Sequence, residues 1–399
     1  MVVDMVESES FFNFGNDSFT LTGYKSFFNV VVDDDGQRNL VIGVDVSQEI
    51  RYAFSGEYGL CITTPFGSIQ TKDLLGKFVS LPDNDAEAVF DFFQEYGYLF
   101  PVQKDDEPIV DLAMLMDIIS RLKATMLLQS LLGEVKRDYE KILHLTLYLL
   151  LSGKVEMKLG SKTVYRSCAF SVANQLDSSL MPSLNGADAQ EAAEKGTYTV
   201  HDTVHRPTYE LSADEYSDIM SGECFRFDYP GITDTRYRRL TAIYKSVRPE
   251  SRNDRMIIDF LFHLMHEVGV IKNISYLKGI EYYGLVDLNH FDQTLKDSLI
   301  NVARIVLAQE INHNVSQMRP LYSPVKLEGS WRAPSLLVAL YFSIFYRNPG
   351  TTIYRKCANP SCHNYFSVPT TNGRKKYCCD ACRNANNQRS HRLKIKKSR

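Results

Sequence analysis

The spacing of hydrophobic positions changes period near residue 83. Upstream, Phe19-Thr20-Leu21-Thr22 and the runs 27–32, 40–44 and 58–64 are rich in β-branched and aromatic residues. Turn signals at Asp33-Asp34-Asp35-Gly36 and Ser55-Gly56 separate them, so these runs predict strands. Downstream, Val89, Phe90, Phe92 and Phe93 follow an Asp/Asn-rich start at helical spacing, and longer helical patterns cover 109–132 and 134–151. Residues 155–170 alternate around Leu159-Gly160-Ser161, which predicts a hairpin. The stretch 174–207 has little periodicity and reads as a mobile insertion. Helical spacing returns over 212–221, 234–247, 252–270, 295–311 and 333–346, then Asn348-Pro349-Gly350 breaks it before a short strand at 352–355. The expected organisation is α+β: a β-rich N-terminal region (1–82), a mostly helical body (83–350) and a C-terminal module (351–399).

Composition refines this picture without changing it. A chain of 399 residues with 44% hydrophobic content can bury a core without disulfides. No apolar run reaches the roughly 18 residues of a membrane span. The first ten residues carry Asp4, Glu7 and Glu9 where a secretory signal carries Lys or Arg, so a cytoplasmic location is expected. Charge is more telling. The net value of −3 hides twelve Lys and Arg against one acid, Asp380, from Arg355 onward; that segment carries about +11 and the residues before it about −14. Such a segment accumulates polyanions.

Five of the eight cysteines, Cys357, Cys362, Cys378, Cys379 and Cys382, crowd into the last 45 residues, a clustering that favours metal over disulfides. Cys61, Cys168 and Cys224 stand alone and read as small buried hydrophobes. Tetrahedral zinc takes four thiolates most readily as two close pairs, each closing a short chelate loop. Cys357 and Cys362 flank the turn-forming Ala358-Asn359-Pro360-Ser361; Cys382 pairs with Cys378 or Cys379 at a helix start. The helix beyond is polar on all sides except at Ala385 and Leu393, so no large core holds it. Beyond Tyr365 and Phe366 few side chains after residue 354 are core candidates, and removal of 355–399 is expected to leave a folded body.

Tyr377-Cys378-Cys379-Asp380-Ala381-Cys382-Arg383 resembles the Tyr-Cys-Ser-x-x-Cys-Arg helix start of treble-clef zinc fingers of the CGNR type and their relatives. These lie at the C-termini of bacterial proteins suspected of regulating transcription. The resemblance implies one structural Zn2+ on Cys357, Cys362, Cys378 and Cys382, with Phe366 packed beneath. It extends to the helix at 336–345 and to Tyr96-Gly97-Tyr98-Leu99. Where the family has Gly-Asn-Arg after its last cysteine, this chain has Arg383-Asn384-Ala385.

Arg374, Lys375, Lys376, Arg383, Arg389, Arg392 and Lys394 are candidate phosphate contacts, and Asn384, Asn387 and Gln388 candidate base contacts. A merely solvated helix would also carry Glu, and none follows Ala381. DNA is the expected partner and RNA the second candidate, with no membrane and with self-association through the helical body. The expected function is DNA-binding regulation. One alternative is an interaction or defence protein whose finger is a structural cap; another is an enzymatic body such as a nuclease. No catalytic motif supports the latter. His263-Leu264-Met265-His266-Glu267 has the wrong order for a zinc-protease helix and reads as core histidines; His201 and His205 read as loop or strand residues. Gln309, Glu310 and His313 read as a solvated helix face.

Overall fold

The computed structural model describes residues 19–102, 108–158, 164–178, 194, 197–200, 202–205, 209–212, 235–246, 251–323 and 327–397. They form two compact units. One gathers three stretches of chain, up to 135, 155–167 and 311–399; the other comprises 136–154 and 168–310. Elements are numbered along the whole chain.

In the first unit, β2 (Thr22–Val32) and β3 (Arg38–Ser55) make a long antiparallel hairpin. It turns at Gly36, whose φ of 80° is a left-handed conformation free of Cβ strain only in glycine. The second half of β3 pairs with β4 (Gly59–Thr63), which pairs with β5 (Ile69–Thr71), and β6 (Ile109–Asp111) joins β3 to complete a five-stranded sheet. Leu40, Ile42, Phe54 and Leu60 are wholly buried on it. The elements that share this core are α1 (Leu74–Val79), α2 (Ala86–Tyr96), α3 (Leu112–Gly133) and α9 (Leu336–Tyr346).

Helix α3 is buried on nearly every side from Ile118 to Ser130, while Ala113, Met114 and Asp117 in its first turns are exposed. Its buried Lys123 is tolerated because the ammonium reaches Leu81 O at 2.7 Å and Asp83 Oδ1 at 2.8 Å. Burial pulls the Lys123 pKa below its ordinary value, and the bond to Asp83 opposes that shift. The unit also holds the hairpin β7 (Glu156–Lys158) and β8 (Val164–Arg166). A small sheet adds β1 (Phe19–Thr20), which runs parallel to β14 (Glu328–Arg332), itself antiparallel to β13 (Arg319–Ser323). The remaining elements are β15 (Thr352–Lys356), β16 (Tyr365–Pro369) and α10 (Asp380–Lys397).

The second unit contains α4 (Tyr139–Leu151), α5 (Ser171–Asp177), the hairpin β9 (Thr197–Val200) and β10 (Tyr209–Ser212), α6 (Thr235–Ser246) and α7 (Arg252–His263). A π-helical turn, Leu264–Val268, extends α7 and leads to the hairpin β11 (Ile271–Ser275) and β12 (Gly279–Tyr282). After it come a 3-10 turn (Leu288–His290) and α8 (Gln293–Val315), which belongs to this unit up to residue 310.

The α+β class is as expected, but several boundaries differ. Residues 109–111 are strand, because β3 offers backbone partners at Asn39, Leu40 and Val41. Asp111 then caps α3 by accepting the Ala113 N–H at 2.7 Å. Residues 134–138 are not helical; α4 begins after Asp138, which accepts from Lys141 N at 3.2 Å. The expected single helix over 252–270 leaves α geometry at Leu264, where Gly269 N donates five residues back to Leu264 O at 3.2 Å. Glu310, read as solvated, is fully buried. The expected helix at 212–221 begins on Ser212, the last residue of β10; the rest of it, and most of the expected mobile stretch 174–207, lie outside the described residues. Among the described residues no helix is long and apolar enough to cross a membrane.

Candidate metal centre

The C-terminal hairpin β15–β16 is tied into the first unit before it presents any cysteine. Ile353, Tyr354 and Val368 are buried at 1%, 3% and 0% exposure. Tyr354 N donates to Ser130 Oγ of α3 at 3.0 Å, and Tyr365 N donates to Ser80 Oγ at 2.7 Å. The Tyr354 hydroxyl donates to Asp73 and accepts from Arg347 Nη2 at 2.7 Å, with the guanidinium 4.0 Å from the ring centre. A side chain at Gly133 would place its Cβ 2.3 Å from Pro349 O, so glycine permits this close approach. Of the side chains after 354, Tyr365 and Phe366 are only half-buried, whereas Val368, not named as a core candidate, is wholly buried.

Beyond that anchor the chain makes a knuckle. Cys357 N donates to Asn364 O at 2.9 Å and Cys362 N to Asn359 O at 2.8 Å, which curls 357–364 back on itself. Ala358 N donates to Lys376 O at 2.8 Å, drawing in the second pair. The sulfurs of Cys357, Cys362, Cys378 and Cys382 all lie within 4.8 Å of one another. Two of the separations are 3.8 Å (Cys362 to Cys378) and 3.6 Å (Cys378 to Cys382). A tetrahedron of zinc–sulfur bonds of about 2.3 Å has edges of roughly 3.8 Å, so the residues fit that ion. Cys379 is exposed and lies outside the group of four, although its sulfur is 3.8 Å from that of Cys378.

The thiols of the cluster are shifted in opposite directions. Burial and hydrogen bonding to Cys382 push the Cys378 thiol above its ordinary pKa. For Cys357 burial opposes ionisation, but hydrogen bonds from the backbone at Cys378 and Asn359 carry its pKa down. Backbone N–H groups aimed at sulfur stabilise a thiolate. Four such sulfurs could close a tetrahedral coordination sphere, the arrangement of a structural rather than a catalytic ion.

The candidate nucleic-acid residues fall on two segments. Arg374, Lys375 and Lys376 are exposed on the loop after β16, where the Lys375 ammonium sits 5.4 Å from the centre of the Phe366 ring. Arg383, Asn384, Asn387, Gln388, Arg389 and Arg392 are exposed on α10, and Lys394 lies on the same helix. Helical spacing separates them further. Cys382, Asn386 and Arg389 share the face turned to the finger, with Asn386 Nδ2 donating to the Tyr377 hydroxyl at 2.8 Å and Arg389 Nη2 to Ser361 Oγ at 2.5 Å. Asn384, Asn387 and Gln388 occupy the opposite side. Arg383 pairs with Asp380 at 3.2 Å.

The chain matches no protein family, no curated protein and no solved structure.

Residues set aside on sequence grounds behave differently. Cys61 and Cys168 are buried, as expected of isolated cysteines, while Cys224 and His201 lie outside the described residues. His313 Nε2 is 2.9 Å from Arg166 O. His205, His263 and Glu267 come together as a second potential metal-holding group, of which only the His263–Glu267 spacing was visible locally.

Proposed function

We propose that the chain is a zinc-finger nucleic-acid-binding protein, with duplex DNA its expected partner and regulation of transcription its role. The observation that carries this reading is the outer side of α10: exposed Arg, Asn and Gln side chains without a single Glu, on a helix held at its first turn by the cysteine cluster. Lys and Arg neutralise phosphates, and Asn and Gln are the side chains that pair with adenine edges. The resemblance to CGNR-type fingers supports the same reading.

Titration against pooled random duplexes and single-stranded RNA at several salt concentrations tests it. Arg374→Ala/Lys376→Ala should reduce the steepness of log K against log salt by about 2, at about 0.9 per lost phosphate contact on B-DNA. Gln388→Ala should leave that slope and lower discrimination among duplexes by about 1–3 kcal/mol. Absence of binding to every nucleic acid at low salt would end the proposal, and binding to RNA alone would move the role to RNA handling.

A second reading has its own support. The β15–β16 hairpin is packed into the first unit through Ile353, Tyr354 and Val368, which is how a structural cap for an interaction protein would be built. The two readings use opposite sides of the finger, and the titration separates them.

A further inference from the structure

The second unit brings two histidines and two carboxylates from distant parts of the sequence onto one point. Asp202 and His205 lie on the loop before β10, and His263 and Glu267 where α7 passes into the π-helical turn. His263 Nδ1 is 2.7 Å from Glu267 Oε1, and His205 Nε2 is 3.3 Å from the same oxygen. The other ring nitrogen of His263, Nε2, is 2.7 Å from Asp202 Oδ2. The two imidazoles meet edge to face, with centroids 4.4 Å apart.

Asp202 is itself fixed. Its Oδ1 accepts Val204 N at 2.6 Å and His205 N at 3.0 Å, and its Oδ2 accepts the Tyr244 hydroxyl. The same loop is pinned again by Thr203, whose N and Oγ1 both donate to Asp259 Oδ2 at 2.9 and 2.7 Å. The carboxylate of Asp202 is 2% exposed and the His263 ring 10%, whereas His205 and Glu267 are 33% and 28% exposed. The cluster therefore has a closed side and an open one.

We propose that His205 Nε2, His263 Nδ1 and Glu267 hold a divalent transition-metal ion of the zinc class, oriented by Asp202 behind His263 and open to one exogenous oxygen donor. Three features of the geometry support it. Ligand atoms bonded to zinc at about 2.0–2.1 Å stand roughly 3.3 Å apart in a tetrahedron, which the His205–Glu267 pair already meets and the His263–Glu267 pair meets after opening by about 0.6 Å. A ligating imidazole characteristically gives its second N–H to a carboxylate, which fixes ring and tautomer; Asp202 stands in that place. Three protein donors leave a fourth position, and the exposed side of His205 and Glu267 supplies both an entry path and room for a water or an anionic oxygen.

The test is metal content of the full-length chain equilibrated with Zn2+ and freed of loosely bound ion. Wild type should carry two zinc ions per chain. Glu267→Gln, His205→Ala and Cys382→Ser should each carry one, the first two keeping the finger ion and the third keeping the new one. His205 is on a partly exposed loop, so His205→Ala is the variant least entangled with folding, and an unchanged circular dichroism spectrum and melt should accompany its loss. In the Cys382→Ser chain loaded with Co2+, visible absorption without a sulfur-to-cobalt charge-transfer band should vanish on adding His205→Ala. Asp202→Asn should weaken the second site by about 10–100-fold while leaving the finger site unchanged. A single zinc per wild-type chain at saturating Zn2+ that Cys382→Ser removes would overturn the proposal, as would a second equivalent that survives both His205→Ala and Glu267→Gln.

Discussion

Cys378 and Cys379 are neighbours in sequence, yet only Cys378 turns its sulfur into the cluster while Cys379 remains exposed. Cys379→Ser should therefore keep the finger ion, whereas Cys378→Ser should lose it, as read by zinc released to a chromophoric chelator. Retention by both variants, or the reverse order, would reassign the third ligand. The pairing of cysteines was legible in the sequence because chelate loops are short and local. The choice between adjacent residues was not, since it depends on the direction in which the chain enters α10. His205 and Glu267 were less legible still: they are 62 positions apart, and the zinc-protease templates that His263 fails ask for two histidines on one helix. The order of residues along α7 was read correctly; the partner that completes the group comes from a loop.

At the scale of elements, the β15–β16 hairpin faces both the finger and the core of the first unit. Ile353 is 1% exposed, and Ile353→Ala should cost about 2–5 kcal/mol by the usual range for emptying a core isoleucine site. Chemical denaturation followed by circular dichroism measures this; a cost below about 1 kcal/mol would mean that the hairpin is only loosely docked. Removal of 355–399 strips β16 from β15 and should lower the cooperative melt of what remains, against the simple expectation from sequence. The strands β2 to β4 and the helices α2, α3, α8 and α9 were legible because their hydrophobic spacing is long and strong. The two-residue β1 was legible within the 19–22 run, but its parallel pairing with β14 and the strand character of 109–111 were not, because each depends on a partner far away in the chain.

At the scale of the whole molecule, burial holds the Tyr52, Tyr98 and Tyr354 hydroxyls well above the ordinary phenol pKa of about 10. A raised pKa means that the folded state keeps its protons after the unfolded state has lost them. The associated stability is complete below about pH 10 and declines as pH rises beyond that value. Each group contributes a slope of about 1.4 kcal/mol per pH unit above that value, so the urea midpoint of the first unit should be level up to about pH 9.5 and fall steeply above about pH 10. A flat profile there would show that these phenols ionise without unfolding. The first unit is also assembled from chain made early and chain made last. Leu60 N finds its acceptor on Ser343 Oγ at 3.1 Å, and β1 finds its parallel neighbour only in β14. During synthesis at about 5–20 residues per second, the emerged β2–β5 sheet waits roughly 10–50 s for its closing segment, while the intervening unit can complete itself first. The nascent sheet is thus the part of this protein most in need of shelter by a chaperone at the ribosome exit.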